Sequence, residues 1–296
     1  MKKRHTQYPT LAAYDGTAAR RRDDGAAATT PAVSVVTVTM NAVRHFDRMV
    51  DSLHGQSFRD FEHVVVDGGS TDGTVGRAQA RIRADRDVCI SEPDRGISDA
   101  FNKGVALSRG AYVQFLNADD WMSSDQLEQA VAALERSGAD FVFGDLIFYV
   151  DGRPAYRYRG DADYVRLLHK RMPSINHPTV LARRSAFERI GLFDPNLRCA
   201  MEYDWFLRLH TVGGWGVYEP RIVGHMTHEG VSNLQFRRTI DEVRRIAVHH
   251  GRNPLLATVE AGSRLAKTSF GNWVRSHAEP LYSATRKAIN PSFHPF

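Results

Sequence analysis

The chain of 296 residues holds two cysteines, is one quarter charged, and has no apolar run near the roughly 18–20 residues that a bilayer span requires. This excludes a disulfide-stapled miniprotein, a coiled coil, a collagen and an integral membrane protein, and leaves enough chain for an enzyme-sized core. The formal charge of +5 is uneven: residues 1–31 hold six Lys/Arg against three Asp, 234–296 hold ten against four acids, and the remainder leaves −4 on 32–233. The basic excess sits at the ends, and the acidic 32–233 shows no aromatic-basic recognition motif, so nucleic-acid binding is disfavoured.

Residues 1–31 are rich in Ala, Thr, Arg and Asp, lack the apolar segment of a secretory signal, and read as a disordered arm. Cys89 and Cys199 fit no metal spacing and read as inert buried thiols in a reducing compartment. Structure is expected to begin with Val33 to Thr39, a β-branched run suited to a strand buried on both faces. Phe46, Met49, Val50 and Leu53 then recur at helical spacing. A second strand, His63 to Val66, leads into Asp67-Gly68-Gly69-Ser70-Thr71-Asp72-Gly73-Thr74. Further elements follow: a strand at Val88 to Ser91, a helix from Ile97 to Ser108, a strand from Tyr112 to Asn117, and a helix beginning at Asp125. Strand and helix alternating at this spacing predict βαβ units and a mostly parallel sheet. After Phe141 to Gly144 the pattern loosens, with Asp151-Gly152 predicting a hairpin turn, a helix near Tyr203 to Thr211, and helices in 239–249 and the tail.

Three groups of residues could carry chemistry. Asn117-Ala118-Asp119-Asp120 ends a predicted strand; Asn117 and Asp119 share a face there, and oxygen donors side by side suit a hard divalent cation. An Asx turn closing the strand is the structural alternative. Asp67 ends another strand, placed to accept hydrogen bonds from a base or ribose, with Gly68 and Gly69 letting backbone approach closely. In Glu202-Tyr203-Asp204-Trp205 the two acids fall about 200° apart around a helix, so only one can face a site. Asp204 has a structural use, because the helix dipole favours it and Arg208 lies four residues on; Glu202 is the better candidate base. His177 and His228 are candidate diphosphate, metal or acceptor contacts.

In order along the chain, these segments resemble the inverting glycosyltransferases of family 2, which have the GT-A fold. The resemblance rests on Val35 to Asn41, Asp67 to Thr74, Ser91 to Gly104, Phe115 to Asp120, Arg184 to Asp194 and Glu202 to Leu209, and covers roughly 32–233. It implies a Rossmann-like central sheet flanked by helices, a nucleotide-sugar half at 32–120, an acceptor half at 121–233, and a basic helical extension at 234–296. Thr39, Asn41, Asp67, Gly69, Asp94, Asp99, Asn102, Lys103, Asn117 and Ala118 would meet the nucleotide. Asp119, and less directly Asp120 and His228, would hold Mg²⁺ or Mn²⁺ against the diphosphate. Glu202 matches the catalytic base, with Asp204 the alternative, and His177 and Trp205 would touch acceptor or diphosphate. Two departures stand out: Asn117 replaces the first Asp of the family's DxD motif, and Met201-Glu202 stands where Glu-Asp is common.

The activity implied is transfer of a sugar from a UDP-, GDP- or dTDP-linked donor to a lipid-linked saccharide or glycolipid precursor, by a cytoplasmic protein peripheral to the inner membrane face. The basic tail, with Leu265, Phe270, Trp273 and Leu281 among its charges, fits an anionic membrane surface. A sugar nucleotidyltransferase is a weaker alternative, because the first strand runs into Met40-Asn41-Ala42-Val43 rather than a basic glycine-rich loop. A catalytically silent nucleotide-sugar-binding protein is the non-enzymatic alternative.

Overall fold

A computed structural model describes residues 8–17, 30–227, 235–277 and 293–295. Its first half follows the expected alternation: β1 (Val33–Thr39), α1 (Val43–His54), β2 (Phe61–Asp67), α2 (Thr74–Arg81), β3 (Val88–Ser91), α3 (Ile97–Leu107) and β4 (Tyr112–Phe115). β2 and β4 are buried along their whole length and β1 nearly so; most of their residues are apolar or β-branched, and the buried polar ones find partners, Glu62 with Ser34 and Arg109 and Gln114 with Pro178 O. β1 pairs in parallel with β2 on one side and β4 on the other, and β2 pairs in parallel with β3. The order β3-β2-β1-β4 therefore reverses the direction of winding between β1 and β4. In such a sheet the crevice for a ligand opens at the carboxyl ends of the strands flanking that reversal.

The second half comprises β5 (Trp121–Met122), α4 (Gln126–Ser137), β6 (Phe141–Val150), β7 (Arg153–Tyr158), α5 (Val165–Leu168), β8 (Leu181–Arg183), α6 (Arg184–Ile190), α7 (Met201–Thr211), β9 (Gly216–Thr227), α8 (Phe236–His249), α9 (Pro254–His277) and β10 (Phe293–Pro295). Here the sheet turns largely antiparallel: β8 joins β4 to β6, β7 pairs with β6, β5 with β9 and β10 with β7, and only β6 with β9 is parallel. The mostly parallel sheet is thus a property of the first half alone. One cause is local: Asp151 and Gly152 both take positive φ, 49° and 75°, the backbone of a two-residue hairpin that returns the chain antiparallel.

Alternation along β1 divides the core between the two faces of the sheet. Val33 and Val35 pack with Phe46 and Leu53 of α1 and Leu127 of α4, whereas Val36 packs on the other face among Phe101 of α3, Phe187 of α6 and Trp205 of α7.

Two expectations need correction. Within the supposed disordered arm, residues 8–17 are built onto the domain: a 3-10 turn at Leu11–Tyr14 buries Tyr14, whose hydroxyl donates to Asp99 at 2.7 Å, while Leu192 N donates to Pro9 O at 2.8 Å. The segment is held because Leu11 and Tyr14 bring apolar area to the core and the hydroxyls of Tyr8 and Tyr14 find carboxylates there. Cys89 and Cys199 are free but half-buried rather than core thiols.

Candidate active site

The parallel register sets Thr39, Asp67 and Ser91 in one row at the carboxyl ends of β1, β2 and β3. Asp67 does not stand open to a base or ribose as expected; both of its oxygens are taken by protein donors. Thr39 Oγ1 donates to Oδ1 at 2.8 Å and Ser70 Oγ donates to the same atom; Gly69 N, Ser70 N and Ser91 Oγ donate to Oδ2 at 2.8–2.9 Å. Burial pushes this carboxyl up, but the bonds from Ser70, Ser91 and Thr39 outweigh it and hold the group below the ordinary carboxylate range. Asp67 is the knot that shapes the loop. Gly69 sits at φ 94°, a conformation that glycine takes without strain, and a Cβ on Gly68 would lie 2.5 Å from Asp94 Oδ2. The groups left open on this rim are Asn41, exposed at φ 53° with its side chain accepting from Thr71 N, and Asp94, whose Oδ1 accepts from Gly96 N.

The polar residues of α3, expected to meet the nucleoside, are spent inside the protein. Asn102 is fully buried, donating to Phe193 O and accepting from Phe193 N, both at 2.9 Å. Lys103 donates to Pro93 O and pairs with Glu92 at 2.8 Å. Asp99 takes Tyr14 and both the backbone and guanidinium of Arg95. Buried polar atoms must find partners, and these found them in neighbouring loops. The trio brackets loop 92–96 and the 190s rather than lining the crevice.

Across the switch point, β4 ends at Phe115 and Asn117-Ala118-Asp119-Asp120 makes a tight turn, with Asp120 N donating to Asn117 O at 3.1 Å. Asp120 is buried and accepts from Asn117 Nδ2; burial, with the charge of Asp119 added, pushes its carboxyl well up. Asp119 is half-buried, and among the described residues its carboxylate has no protein partner. Asn117 Oδ1 is likewise unpartnered although buried. No cluster of three His, Cys, Asp or Glu that could hold a metal occurs among the described residues. The donor set at hand, one open carboxylate and one orphaned amide oxygen, suits a hard cation that completes its shell with phosphate and water. His228 lies outside the described residues.

α7 carries the remaining chemistry. Glu202 is 8% exposed and lines a cavity of about 10 Å³ with Phe115, His177, Phe187, Phe193 and Trp205. Burial, helped by Glu242, pushes its carboxyl up to about 7. His177 stacks on Phe115 with centroids 5.4 Å apart and sets Nδ1 3.4 Å from Glu202 Oε1; burial lowers the ring to about 4, so it stays neutral. Phe115 stands two residues before Asn117, which ties Glu202 to the cation-suited turn through packed rings. Trp205, expected at the acceptor, is 2% exposed and stacks on Phe187 at 4.6 Å; one helical turn from Glu202, it faces the same buried side.

Asp204 points elsewhere. Arg208 Nε donates to it at 2.8 Å, His250 Nε2 lies at 3.0 Å, and the Tyr8 hydroxyl donates at 3.3 Å. Tyr8, Tyr14, Glu242 and His250 are absent from the residues singled out in the sequence, though two tyrosines in a polar arm and a glutamate bordering the apolar face of an amphipathic helix were signals to be read.

Residues 34–191 match the family described as Glycosyl transferase family 2. A "PGL/p-HBAD biosynthesis glycosyltransferase" of Mycobacterium bovis is 35% identical over 182 residues, 60% of this chain and 69% of that protein. A "Putative glycosyltransferase EpsH" of Bacillus subtilis is 31% identical over 101 residues, 34% of this chain and 29% of that one. Among solved structures, S. aureus TarS 1-349 in complex with UDP-GlcNAc superposes with a TM-score of 0.56 at 16% identity, covering 86% of this chain and 79% of that one. The mannosyltransferase PcManGT from Pyrobaculum calidifontis, in complex with GDP-Man and Mn²⁺, gives 0.55 at 18% identity, covering 95% and 89%. The shared architecture is the GT-A fold.

Proposed function

Because the chain belongs to glycosyl transferase family 2, we propose that it moves a sugar from a nucleotide-diphosphate donor to a hydroxyl of a glycolipid or lipid-linked saccharide precursor, with inversion. The observation that carries this reading is Glu202, a carboxyl buried among aromatic rings and held near neutrality in its affinity for protons, beside the strand end that opens at Asn117 and Asp119. A base is most useful when its pKa lies near the working pH.

The acceptor hydroxyl gives its proton to Glu202 as its oxygen bonds to the anomeric carbon. On the opposite face the carbon–oxygen bond to the diphosphate breaks, and the electron pair leaves with the phosphate. His177, neutral and packed against Phe115, fixes the orientation of the Glu202 carboxyl. Asp119 with Asn117 Oδ1 would hold Mg²⁺ or Mn²⁺, which when bound offsets charge growing on the leaving diphosphate. Asn41 and Asp94 are the rim groups placed to select the nucleoside. The name of the mycobacterial relative supports a glycolipid acceptor. No helix among the described residues is long and apolar enough to cross a membrane. Peripheral attachment is supported by α9, which exposes Leu255, Leu256 and Val259 in the basic extension.

The test is a panel of UDP-, GDP- and dTDP-sugars screened for Mn²⁺-dependent thermal stabilisation. At least one should raise the melting temperature of the wild type and fail to raise that of Asp119→Ala; a panel without a single stabilising nucleotide sugar overturns the reading. Co-sedimentation with anionic liposomes should fall in Leu255→Asp/Val259→Asp, and unchanged binding removes the membrane contact.

A further inference from the structure

α7 begins without a cap of its own. Its N-cap position is Ala200, which has no side-chain acceptor, and the backbone N–H groups entering a helix need partners when buried. The three amides that lead into the helix, those of Arg198, Cys199 and Ala200, find theirs 42 to 44 residues later. Glu242 of α8 is fully buried, and its Oε2 accepts from Cys199 N at 2.8 Å, Ala200 N at 3.0 Å and Arg198 N at 3.1 Å. Oε1 accepts from Arg198 N and from Arg238 Nε, each at 3.1 Å. Three consecutive amides converging on one carboxylate form an anion cradle, completed here by a side chain of the same protein.

We propose that Glu242 is a positioning residue for the catalytic base: its buried carboxylate, by gripping the 198–200 backbone just ahead of Glu202, fixes where Glu202 stands and the surroundings in which it works. This rests on the reading of Glu202 as base. The grip acts two residues from Glu202, so any slackening of the 198–200 turn is transmitted to the first turn of α7. The charge acts through a dry interior, where a like charge favours the protonated form of its neighbour.

The other titratable groups facing Glu202 carry no charge near neutral pH. His177 is kept neutral by burial, and burial pushes the Cys199 thiol up. The Arg198 guanidinium lies against Gly96, where a Cβ would meet it, and Arg238, about half exposed, is the counter-ion of Glu242. Glu242 is therefore the carboxylate whose field reaches the base, and Arg238 is its partner. α7 and α8 both lie beyond residues 34–191, the segment that matches the family.

The experiment needs no substrate. In full-length protein labelled with carbon-13 at the glutamate carboxyls, the Glu202 signal is assigned by its loss in Glu202→Gln, and its titration midpoint is followed. Glu242→Gln, which removes the charge and keeps an acceptor oxygen, should lower the midpoint by about one pH unit. Arg238→Gln, a substitution at a half-exposed side chain that leaves Glu242 less compensated, should raise it by a smaller amount. Glu242→Asp should restore most of the wild-type value. Midpoints that stay put in both Glu242→Gln and Arg238→Gln, or that move in the same direction, overturn the proposal even if the melting temperature falls, since a purely structural cap predicts that result. Donor hydrolysis of UDP-GlcNAc or GDP-mannose retained by Glu202→Gln would instead sink the base reading, while leaving the measured Glu242–Glu202 coupling standing.

Discussion

The face of α7 that carries Glu202 meets Phe115, Phe187, Phe193 and a neutral His177, whereas the face that carries Asp204 meets Arg208, His250 and the hydroxyl of Tyr8. Both carboxyls are buried, and desolvation raises both; only at Asp204 do a cation and hydrogen bonds reverse the sign, leaving it below the ordinary range while Glu202 rises to about 7. Two acids with opposite proton affinities on one helix mark a division of labour. The one left without a cation is fit to take a proton, and the one that is fully paired holds the helix in place.

The largest effect that could break this comparison is on catalysis. Glu202→Gln should lower transfer by about 10²–10⁴-fold with little loss of melting temperature, and Asp204→Asn should retain turnover per folded molecule; the reverse pattern in an assay of purified variants would exchange their roles. Next in size is stability. Asp204→Asn strands the buried Arg208 guanidinium, whose other bonds go to the carbonyls of Ile190, Gly191 and Leu192, and should cost about 3 kcal/mol in denaturant unfolding. The pH dependence separates the two groups by sign. Glu202 binds its proton more tightly folded than unfolded, so its contribution favours the fold below pH 4.5 and is lost as pH rises toward 7, by about 3 kcal/mol in all. Asp204 behaves oppositely: its contribution is complete above pH 3.8 and disappears as the solution is acidified through its lowered folded value. Stability curves of Glu202→Gln and Asp204→Asn should each lose one of these slopes. The smallest effect is at the amino-terminal strap. Tyr8→Phe removes one hydroxyl from Asp204 while keeping the ring under Arg208, 3.9 Å away, and should cost about 1 kcal/mol without touching turnover.

Periodicity makes part of this molecule legible in its sequence. Strands buried on both faces are rich in apolar and β-branched residues, so Val33 to Thr39 and Val64 to Val66 are recognisable from residue type, and Phe46, Met49, Val50 and Leu53 mark the buried face of α1. The 100° step of a helix is enough to separate Glu202 from Asp204, and the Arg208 partner four residues on follows from the same geometry. The second half yields less, because apart from the Asp151-Gly152 hairpin its strand pairs join segments far apart in sequence.

Polar residues of α3 show the limit most clearly. Asp99, Asn102 and Lys103 have the chemistry of ligand contacts, and nothing local distinguishes a side chain that greets a nucleotide from one that clasps a distant loop. Only the fold brings Phe193, Pro93 and Tyr14 to them. Glu242 and Ala200 present the same problem in reverse: a helix lacking a cap and a carboxylate bordering an apolar stripe are each unremarkable in sequence, and their meeting depends on α8 packing across α7. The sequence by itself determined the parallel half of the sheet and the placing of Glu202 and Asp204 on different faces of one helix, because those depend on period and side-chain chemistry. Tertiary structure alone decided which acids find a cation, which polar groups are spent on the scaffold, and what grips the backbone ahead of Glu202, because burial and partners set those, and partners come from anywhere in the chain.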